Sequence, residues 1–321
     1  MKIKPRLGGG KSGDPSLYID IVDRKRAILF DCGLNNFRPA ALHKVTDVFI
    51  SHTHIDHFIG FDTLLRLNLT EEKALHVYGP PGICQNVVGK LQGYTWNICQ
   101  NLRLTIVVHE ILPETIVVTV LQSWHGFAIQ EEAEQPYTDL LLNTGEFLVK
   151  YLQLDHKTPS FGYTFLEAES CNVRKEALEE FGLQPGPWTG RLKAEAFPTP
   201  VQGALIEIEG ESYSLEELAQ KLLVRKPGIK ITYLTDFLLH EADRERVLEF
   251  ARFSDLLFCE AAFLERDRDK AHRTHHLTAK EAGILARTAQ VKQLVLFHFS
   301  RRYQDYALMI DEARQEFPWV E

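Results

Sequence analysis

The chain has 321 residues, of which 45% are hydrophobic and 25% charged, and its net charge is −8 at neutral pH. This composition is typical of a globular protein that builds its core without disulfides or a structural metal. The acidic balance excludes binding of nucleic acid by general positive charge, so a polyanionic substrate would need a local basic patch or bound metal ions.

The five cysteines are odd in number and none forms a C-x-x-C pair. We therefore expect buried, reduced thiols and a cytoplasmic location. The N-terminal residues contain no long apolar region, and no apolar run reaches the ~20 residues of a membrane helix. The sequence thus predicts neither a signal peptide nor a membrane span.

Apolar patterning predicts alternating strands and helices along the chain. The glycine-rich residues 7–13 lack Walker spacing and are expected to form a flexible loop near the site. The predicted strands are residues 17–22, 27–30, 47–50, 75–78, 104–108, 115–121, 147–154, 162–166, 204–208, 230–234, 256–259 and 293–297. The predicted helices are residues 62–69, 83–91, 174–180, 214–223, 241–250, 279–289 and 306–316.

Three further features carry local predictions. Residues 131–134 are expected to form a solvated acidic loop, and residues 182–193, rich in Gly, Pro and aromatic side chains, fit no regular element. Ser214 and Glu217 have the spacing of a capping box at the start of a helix.

The most informative stretch is Ser51–Gly60, which holds three histidines and one aspartate in His-x-His-x-Asp-His spacing. In an extended segment, His52 and His54 lie on the same side and can share one cation. Asp56 and His57 follow as the chain turns, and must face a second point. The simplest interpretation is two neighbouring metal ions, with zinc expected and iron or manganese as alternatives.

Other metal-capable side chains follow apolar strands elsewhere in the chain. These residues are His156, Asp236, Glu260 and His298. In layered α/β folds, sites assemble beyond the carboxyl ends of strands. His125 also ends an apolar strand and competes with His156 as a third ligand.

These residues carry a resemblance to the metallo-β-lactamase-fold hydrolases and, among them, to ribonuclease Z, the endonuclease that trims tRNA 3′ ends. Beyond the histidine motif, the matching stretches run in the same order over residues 7–306. They are Asp155–Tyr163, the Gly-Pro segment Gln184–Lys193, Glu260–Phe263, His276–Thr278 and His298–Tyr303. The chain departs from that family at Thr235-Asp236-Phe237, where Gly-Asp-Thr is usual.

The resemblance implies an α/β fold, an αββα sandwich of two mixed sheets flanked by helices. It implies a single domain over residues 1–321, with a substrate-binding arm inserted at about residues 168–200. It places His52, His54 and His156 on one metal, and Asp56, His57 and His298 on the other, with Asp236 as the bridge. The context around Phe161 favours His156 over His125 as the third ligand of the first metal.

The resemblance also implies the roles in catalysis. A water between the two ions would have a lowered pKa and would attack phosphorus in line. Asp56 would orient that water and accept its proton, while His276, held protonated by Glu260, would stabilise the phosphodiester. Glu260 could instead be a structural hydrogen-bond acceptor.

Substrate contacts are expected from two regions, and a homodimer is expected because in such enzymes one subunit's arm grips the tRNA that the other cuts. Arg174, Lys175, Arg191 and Lys193 form either a phosphate-binding face or a solvated charge run, and residues 182–193 are either an arm or an internal loop. The candidate substrate-binding residues are Phe161, Pro185, Gly186, Pro187, Arg191, Lys193, Ser300 and Arg302. The alternatives to a tRNA-processing endonuclease are a small-molecule phosphodiesterase, esterase or lactonase on the same scaffold, and a non-catalytic binding protein.

Overall fold

The structure, a computed structural model, describes residues 1–199 and 202–321. Its contacts divide the chain into two compact units. The first comprises Met1–Thr144, Leu148–Phe165 and Lys230–Glu321, and the second comprises Gly145–Phe147 and Leu166–Ile229. The arm was expected at about residues 168–200, and residue 200 lies outside the described residues.

The strands and helices follow the apolar pattern of the sequence over most of the chain. The strands are β1 (Ile3–Leu7), β2 (Leu17–Ile21), β3 (Arg26–Phe30), β4 (Val45–Phe49), β5 (Ala74–Gly79), β6 (Thr105–Ile111), β7 (Thr115–Gln122), β8 (Ile129–Pro136), β9 (Leu140–Asn143), β10 (Phe147–Asp155), β11 (Pro159–Glu167), β12 (Ser170–Val173), β13 (Leu205–Ile208), β14 (Glu211–Ser214), β15 (Leu223–Lys226), β16 (Lys230–Leu234), β17 (Leu256–Glu260) and β18 (Gln293–Phe297). The α-helices are α1 (Pro39–Leu42), α2 (Ile55–Phe58), α3 (Phe61–Asn68), α4 (Ile83–Gln92), α5 (Lys175–Glu180), α6 (Trp188–Ala196), α7 (Leu215–Leu222), α8 (Arg244–Ala251), α9 (Arg268–Arg273), α10 (Ala279–Thr288) and α11 (Ala307–Glu316).

The first unit contains two mixed sheets. Strands β1 to β8 form one sheet in chain order, in which β3, β4, β5 and β6 run parallel to one another and the other pairs are antiparallel. The other sheet has the order β18-β17-β16-β11-β10-β9, with β16, β17 and β18 parallel. The carboxyl ends of the parallel strands β4, β16 and β18 lead into the segments that hold most of the candidate ligands, whereas His156 follows β10.

Aromatic side chains fill the space between the two sheets. Phe30 of one sheet stacks on Tyr163 of the other with ring centroids 5.3 Å apart, and Tyr233 lies 5.9 Å from Phe30. The buried hydroxyls of both tyrosines donate hydrogen bonds across the interface, from Tyr163 to Ile50 O at 2.6 Å and from Tyr233 to Asp31 Oδ2 at 2.8 Å. These bonds satisfy polar groups that would otherwise be costly to bury, and they fix how the sheets meet.

Helices cover the outer face of each sheet. The buried side chains of α3 and α4 join one hydrophobic cluster with the first sheet, and those of α8, α10 and α11 join another with the second sheet. The predicted αββα sandwich is confirmed.

The second unit has its own small core. Strands β12 and β15 pair antiparallel, β13 and β14 form a hairpin, and α5, α6 and α7 pack with them around Trp188, Leu192 and Leu218. The unit contains the Gly-Pro segment that the sequence singles out.

Three local predictions were wrong. The expected acidic loop at residues 131–134 lies in strand β8, which pairs antiparallel with β7. Residues 182–193 are not wholly irregular, because helix α6 begins at Trp188. Ser214 accepts a hydrogen bond from Glu217 N at 3.4 Å, but the reciprocal bond of a capping box is present instead at Thr278 and Glu281.

Within the described ranges, none of the helices combines the length and apolar character that crossing a membrane requires.

Candidate metal centre

The histidine motif lies where strand β4 turns into the short helix α2. His52 and His54 are in extended backbone before the helix, and Asp56 and His57 are in its first turn. His52 and His57 are buried, whereas His54 is exposed. The change from strand to helix points the two pairs of side chains at different places, as the spacing predicted.

The first group of ligand atoms joins the motif to two distant loops. His52, His54, His156 and Asp236 offer ligand atoms within 4.8 Å of one another. His52 Nε2 faces His54 Nδ1 at 2.9 Å, and Asp236 Oδ2 lies 3.6 Å from both His52 Nε2 and His156 Nε2. Imidazole nitrogens this close to each other are stable only with a proton or a cation between them.

The second group lies beside the first. Asp56 Oδ2 is 3.7 Å from His57 Nε2 and 3.3 Å from His298 Nε2. Asp236 Oδ2 is 3.3 Å from His57 Nε2, and Asp236 Oδ1 is 3.0 Å from His298 Nδ1. Asp236 therefore borders both groups, as a bridging carboxylate must.

The donor set fits two divalent cations. The ligand atoms are imidazole nitrogens and carboxylate oxygens, the types that zinc prefers. His57 Nε2 is buried and makes no hydrogen bond within the described part of the chain. A buried polar atom without a partner is costly, and a cation at this position would remove that cost.

Asp31 orients His57 from behind. This fully buried carboxylate accepts hydrogen bonds from His57 Nδ1 at 2.8 Å, from Ser51 N at 2.7 Å and from Tyr233 OH at 2.8 Å. The bond to Nδ1 fixes the tautomer of His57 and leaves the Nε2 lone pair for a metal.

Two other histidines are fixed in a similar way. His156 Nδ1 donates to the backbone carbonyl of His275 at 2.8 Å, which leaves Nε2 facing the first group. His276 Nδ1 lies 2.8 Å from Glu260 Oε2, while Glu260 Oε1 accepts from Phe237 N at 2.8 Å. Glu260 thus fills both roles that the sequence left open, orienting His276 and satisfying a buried amide.

The electrostatics of the site differ from one candidate ligand to the next. Burial and the neighbouring His57 lower the pKa of His52 to about 2, so its imidazole stays neutral. Burial opposes ionisation of Asp236, yet His298 and His57 hold the pKa of this carboxyl well below its usual range. Burial also opposes a charge on His298, but Asp236 and Asp56 raise its pKa to about 10. The same two carboxylates would attract a cation in place of that proton.

Three of these residues have a left-handed backbone at the carboxyl ends of strands. Asp31, Asp236 and His298 have φ angles of 57°, 48° and 60°. This conformation is uncommon for residues other than glycine and clusters at functional sites, where the surrounding structure holds it in place.

Known proteins similar to this chain identify the family to which it belongs. A profile described as a β-lactamase superfamily domain matches residues 26–137. The chain is 35% identical over 319 residues to ribonuclease Z of Deinococcus radiodurans, covering 97% of this chain and 94% of that protein. The chain belongs to the ribonuclease Z family. This ribonuclease Z family member is also 29% identical over 312 residues to human zinc phosphodiesterase ELAC protein 1, covering 87% and 80% of the two chains.

A solved structure agrees on the fold. The crystal structure of human tRNase Z, short form, matches 94% of each chain with a TM-score of 0.56 and 21% identity. The predicted family and the prediction of a metal-dependent hydrolase are confirmed.

An open cavity adjoins the metal centre of this ribonuclease Z family member. Its volume is about 500 Å³, and Asp56, His276 and His298 line one side. Ser300, a candidate substrate-binding residue, lines the cavity as well, together with Asp14 and Arg301, which the sequence reasoning did not single out. Asp14 directly follows the glycine-rich residues 7–13 and Arg301 lies in the stretch His298–Tyr303, so their places in the sequence could have indicated that they lie near the site.

The remaining candidate substrate residues differ in exposure. The side chain of Phe161, a candidate for substrate contact, is 1% exposed and packs against Tyr151 in the core. Arg302 is exposed and pairs with Asp267 at 3.6 Å. In the second unit, Pro185, Pro187 and Arg191 are exposed and Gly186 and Lys193 are partly exposed.

The rival ligand His125 lies outside every cluster of potential metal ligands found in the described residues, in a short 3-10 turn after β7. His272 pairs with Glu281 at 2.7 Å and is 37% exposed. The side chain of His275 is only 18% exposed.

Proposed function

We propose that this chain removes the 3′ trailer of tRNA precursors by metal-dependent hydrolysis of a phosphodiester bond. The observation that carries the proposal is the pair of ligand groups that share Asp236 beside an open cavity. His52, His54 and His156 would hold one cation, and Asp56, His57 and His298 the other. The name of the human relative, a zinc phosphodiesterase, supports zinc as the metal.

The residues around the proposed cations have separate tasks in this reaction. Two bound cations lower the pKa of a water near them and offset the charge of the phosphodiester. Burial opposes ionisation of Asp56, but the hydrogen bond from His298 lowers its pKa, so the carboxylate is ionised at neutral pH. Asp56 therefore accepts a hydrogen bond from the attacking water and orients it toward phosphorus.

His276 serves the opposite side of the phosphate. Burial opposes its charged form, yet Glu260 raises the pKa of His276 above its ordinary value. A protonated His276 that lines the cavity can donate to a phosphoryl oxygen or to the departing 3′ oxygen. Glu260 is the positioning residue for this group.

The second unit is proposed as the arm that grips tRNA, presenting Pro185, Gly186, Pro187, Arg191 and Lys193, and the protein is proposed to act as a homodimer. Ser300 and Arg302 would contact the RNA next to the reacting phosphate. All five cysteines are free thiols, which, together with a tRNA substrate, supports a cytoplasmic protein.

One observation favours a second candidate, a phosphodiesterase for small substrates. Several cations of the second unit are already engaged: Arg174 donates to Lys221 O, Arg191 lies 3.5 Å from Glu195, and Arg225 lies 3.6 Å from Glu169. Exposed ion pairs of this kind are weak, and their arginines can release the carboxylates to bind RNA phosphates instead. The pairs therefore weaken the attraction of the second unit for RNA without abolishing it.

A paired assay separates the two functions. Protein of known metal content is incubated with a tRNA precursor carrying a 3′ trailer and with an aryl phosphodiester. We expect both to be cleaved, and cleavage of the aryl compound alone would exclude tRNA processing. His57→Ala should abolish both activities, whereas His43→Ala, which alters a surface imidazole paired with Glu71, should leave both unchanged.

A further inference from the structure

A third cluster of potential ligands lies outside the two groups described above. Asp155, His240 and His275 offer ligand atoms within 4.8 Å of one another. They come from the end of β10, the loop after β16 and the loop after α9. None of the three side chains belongs to the seven that would hold the catalytic ions.

Hydrogen bonds from backbone amides hold Asp155 in place and join it to the loop of His240. Leu238 N donates to Asp155 O at 2.9 Å, which brings the loop of His240 to Asp155. Lys157 N donates to Asp155 Oδ1 at 2.9 Å, so Oδ2 is left to face the imidazoles. The carboxylate is thus held in place from behind, in the manner of a preorganised ligand.

The imidazoles meet the same oxygen, but they differ in how well they are satisfied. His240 Nε2 is 2.7 Å from Asp155 Oδ2, whereas His275 Nδ1 is 3.4 Å from it. His275 Nδ1 is buried and makes no hydrogen bond among the described residues. The backbone of His275 is left-handed, with a φ of 56°, and residues other than glycine adopt this conformation mainly where the surroundings require it. This buried nitrogen therefore lies near a carboxylate oxygen without a hydrogen bond, and a cation bound to both atoms would satisfy it.

The geometry points to a third divalent-cation site of the zinc type, formed by Asp155 Oδ2, His240 Nε2 and His275 Nδ1. Two imidazoles and one carboxylate are a common protein ligand set for zinc, with the remaining position left to water. The side chains of Asp155 and His240 are 42% and 41% exposed, so one side of the cluster is open to solvent for that water.

The site would be linked to the catalytic centre through one residue. The carbonyl of His275 accepts the hydrogen bond that orients His156, and His276 is next in the chain. A cation on the His275 side chain would therefore hold in place the loop that positions a catalytic-metal ligand and the proposed proton donor. A protein with the third site filled should keep its first two ions more firmly than one with the site empty.

The test is a count of zinc ions per chain after dialysis at a fixed free zinc concentration. We expect three in the wild type, two in His240→Ala and three in the matched surface variant His43→Ala. Equal counts in the wild type and His240→Ala would overturn the proposal and would mean that a proton, not a cation, joins these side chains.

A second variant covers the case in which His240→Ala fails to fold and loses all of its zinc for that reason. If His240→Ala bound no zinc at all, the zinc content of His275→Ala would decide, because this variant keeps the backbone carbonyl that orients His156. Two zinc ions per chain of His275→Ala would support the third site, and three would refute it. The count does not depend on cleavage of any substrate, so its failure and the failure of the proposed function are separate results.

Discussion

At the scale of single residues, the tautomers of the histidines decide whether their nitrogens can bind metal. Asp31 → Asn would place an amide against His57 Nδ1, where the carboxylate now accepts a hydrogen bond at 2.8 Å. Loss of that bond should reduce zinc affinity or turnover by roughly 10–100-fold, the usual effect of altering an outer partner of a ligand. The measurement is zinc affinity by competition with a chelator. Asp20→Asn, which alters a strand carboxylate paired with Lys44, is the control and should have no effect.

The choice between His156 and His125 is also a matter of one side chain. His156→Ala removes a ligand of the first group and should lower phosphodiester cleavage by more than the ~100-fold expected for an outer partner. His125→Ala should leave cleavage and zinc content unchanged, because His125 is not among the clustered ligand atoms of the described residues. The reverse ranking of the two variants would show that the ligand is assigned to the wrong histidine.

The pKa of His276 gives a prediction about pH. Its folded-state pKa is raised by Glu260, so the protonated form is lost only as the pH rises through this higher value. In Glu260→Gln the anion is gone, the pKa of His276 falls, and the alkaline limb of the kcat profile should move to lower pH. If the alkaline limb of Glu260→Gln lay at the same pH as that of the wild type, His276 would not be the proton donor.

The seven candidate ligands could be predicted from the sequence because four stand in one short motif and the family resemblance selects the other three from the polar residues that follow apolar strands. Asp31, His240 and His275 could not be assigned roles in this way. Their partners are far along the chain, and a single histidine or aspartate carries no local pattern that indicates what it will face.

At the scale of elements, strand β8 shows why an exposed edge was misread. Both of its faces are exposed, so its residues lack the alternation that identifies a strand with one buried face. Helix α6 was missed for another reason: Gly190 lies within it, and a glycine inside a helix weakens the helical pattern.

The acidic residues of β8 are expected to protect this edge of the sheet. Charged side chains on an edge strand prevent pairing with other chains. The double change Glu132→Val and Glu134→Val should therefore cause concentration-dependent self-association, measured by light scattering. The control is Glu241→Val, an exposed site outside the strands, and equal association of the two variants would contradict the idea.

At the scale of the whole molecule, the sandwich was predictable because motifs in a fixed order resemble a known family. The extent of the second unit was not. It runs to Ile229 because β12 pairs with β15, and pairing between residues so distant in sequence leaves no local signal.

The two ends of the second unit meet, which allows its role to be tested. Glu167 N donates to Ile229 O at 2.9 Å, and a Cβ on Gly228 would lie 1.8 Å from Glu167 O. A short linker in place of residues 169–226 should leave zinc binding and aryl phosphodiester cleavage intact, because the proposed ligands are all in the first unit. Cleavage of the tRNA precursor should be lost, and retained cleavage would show that this unit is not the arm.

The central claim is that seven side chains from separate loops hold two cations. Anomalous diffraction at the zinc edge, from crystals grown with zinc, tests it most directly. We expect one peak among His52, His54, His156 and Asp236, and a second among Asp56, His57, His298 and Asp236. The absence of a peak at either position in zinc-saturated crystals would contradict it.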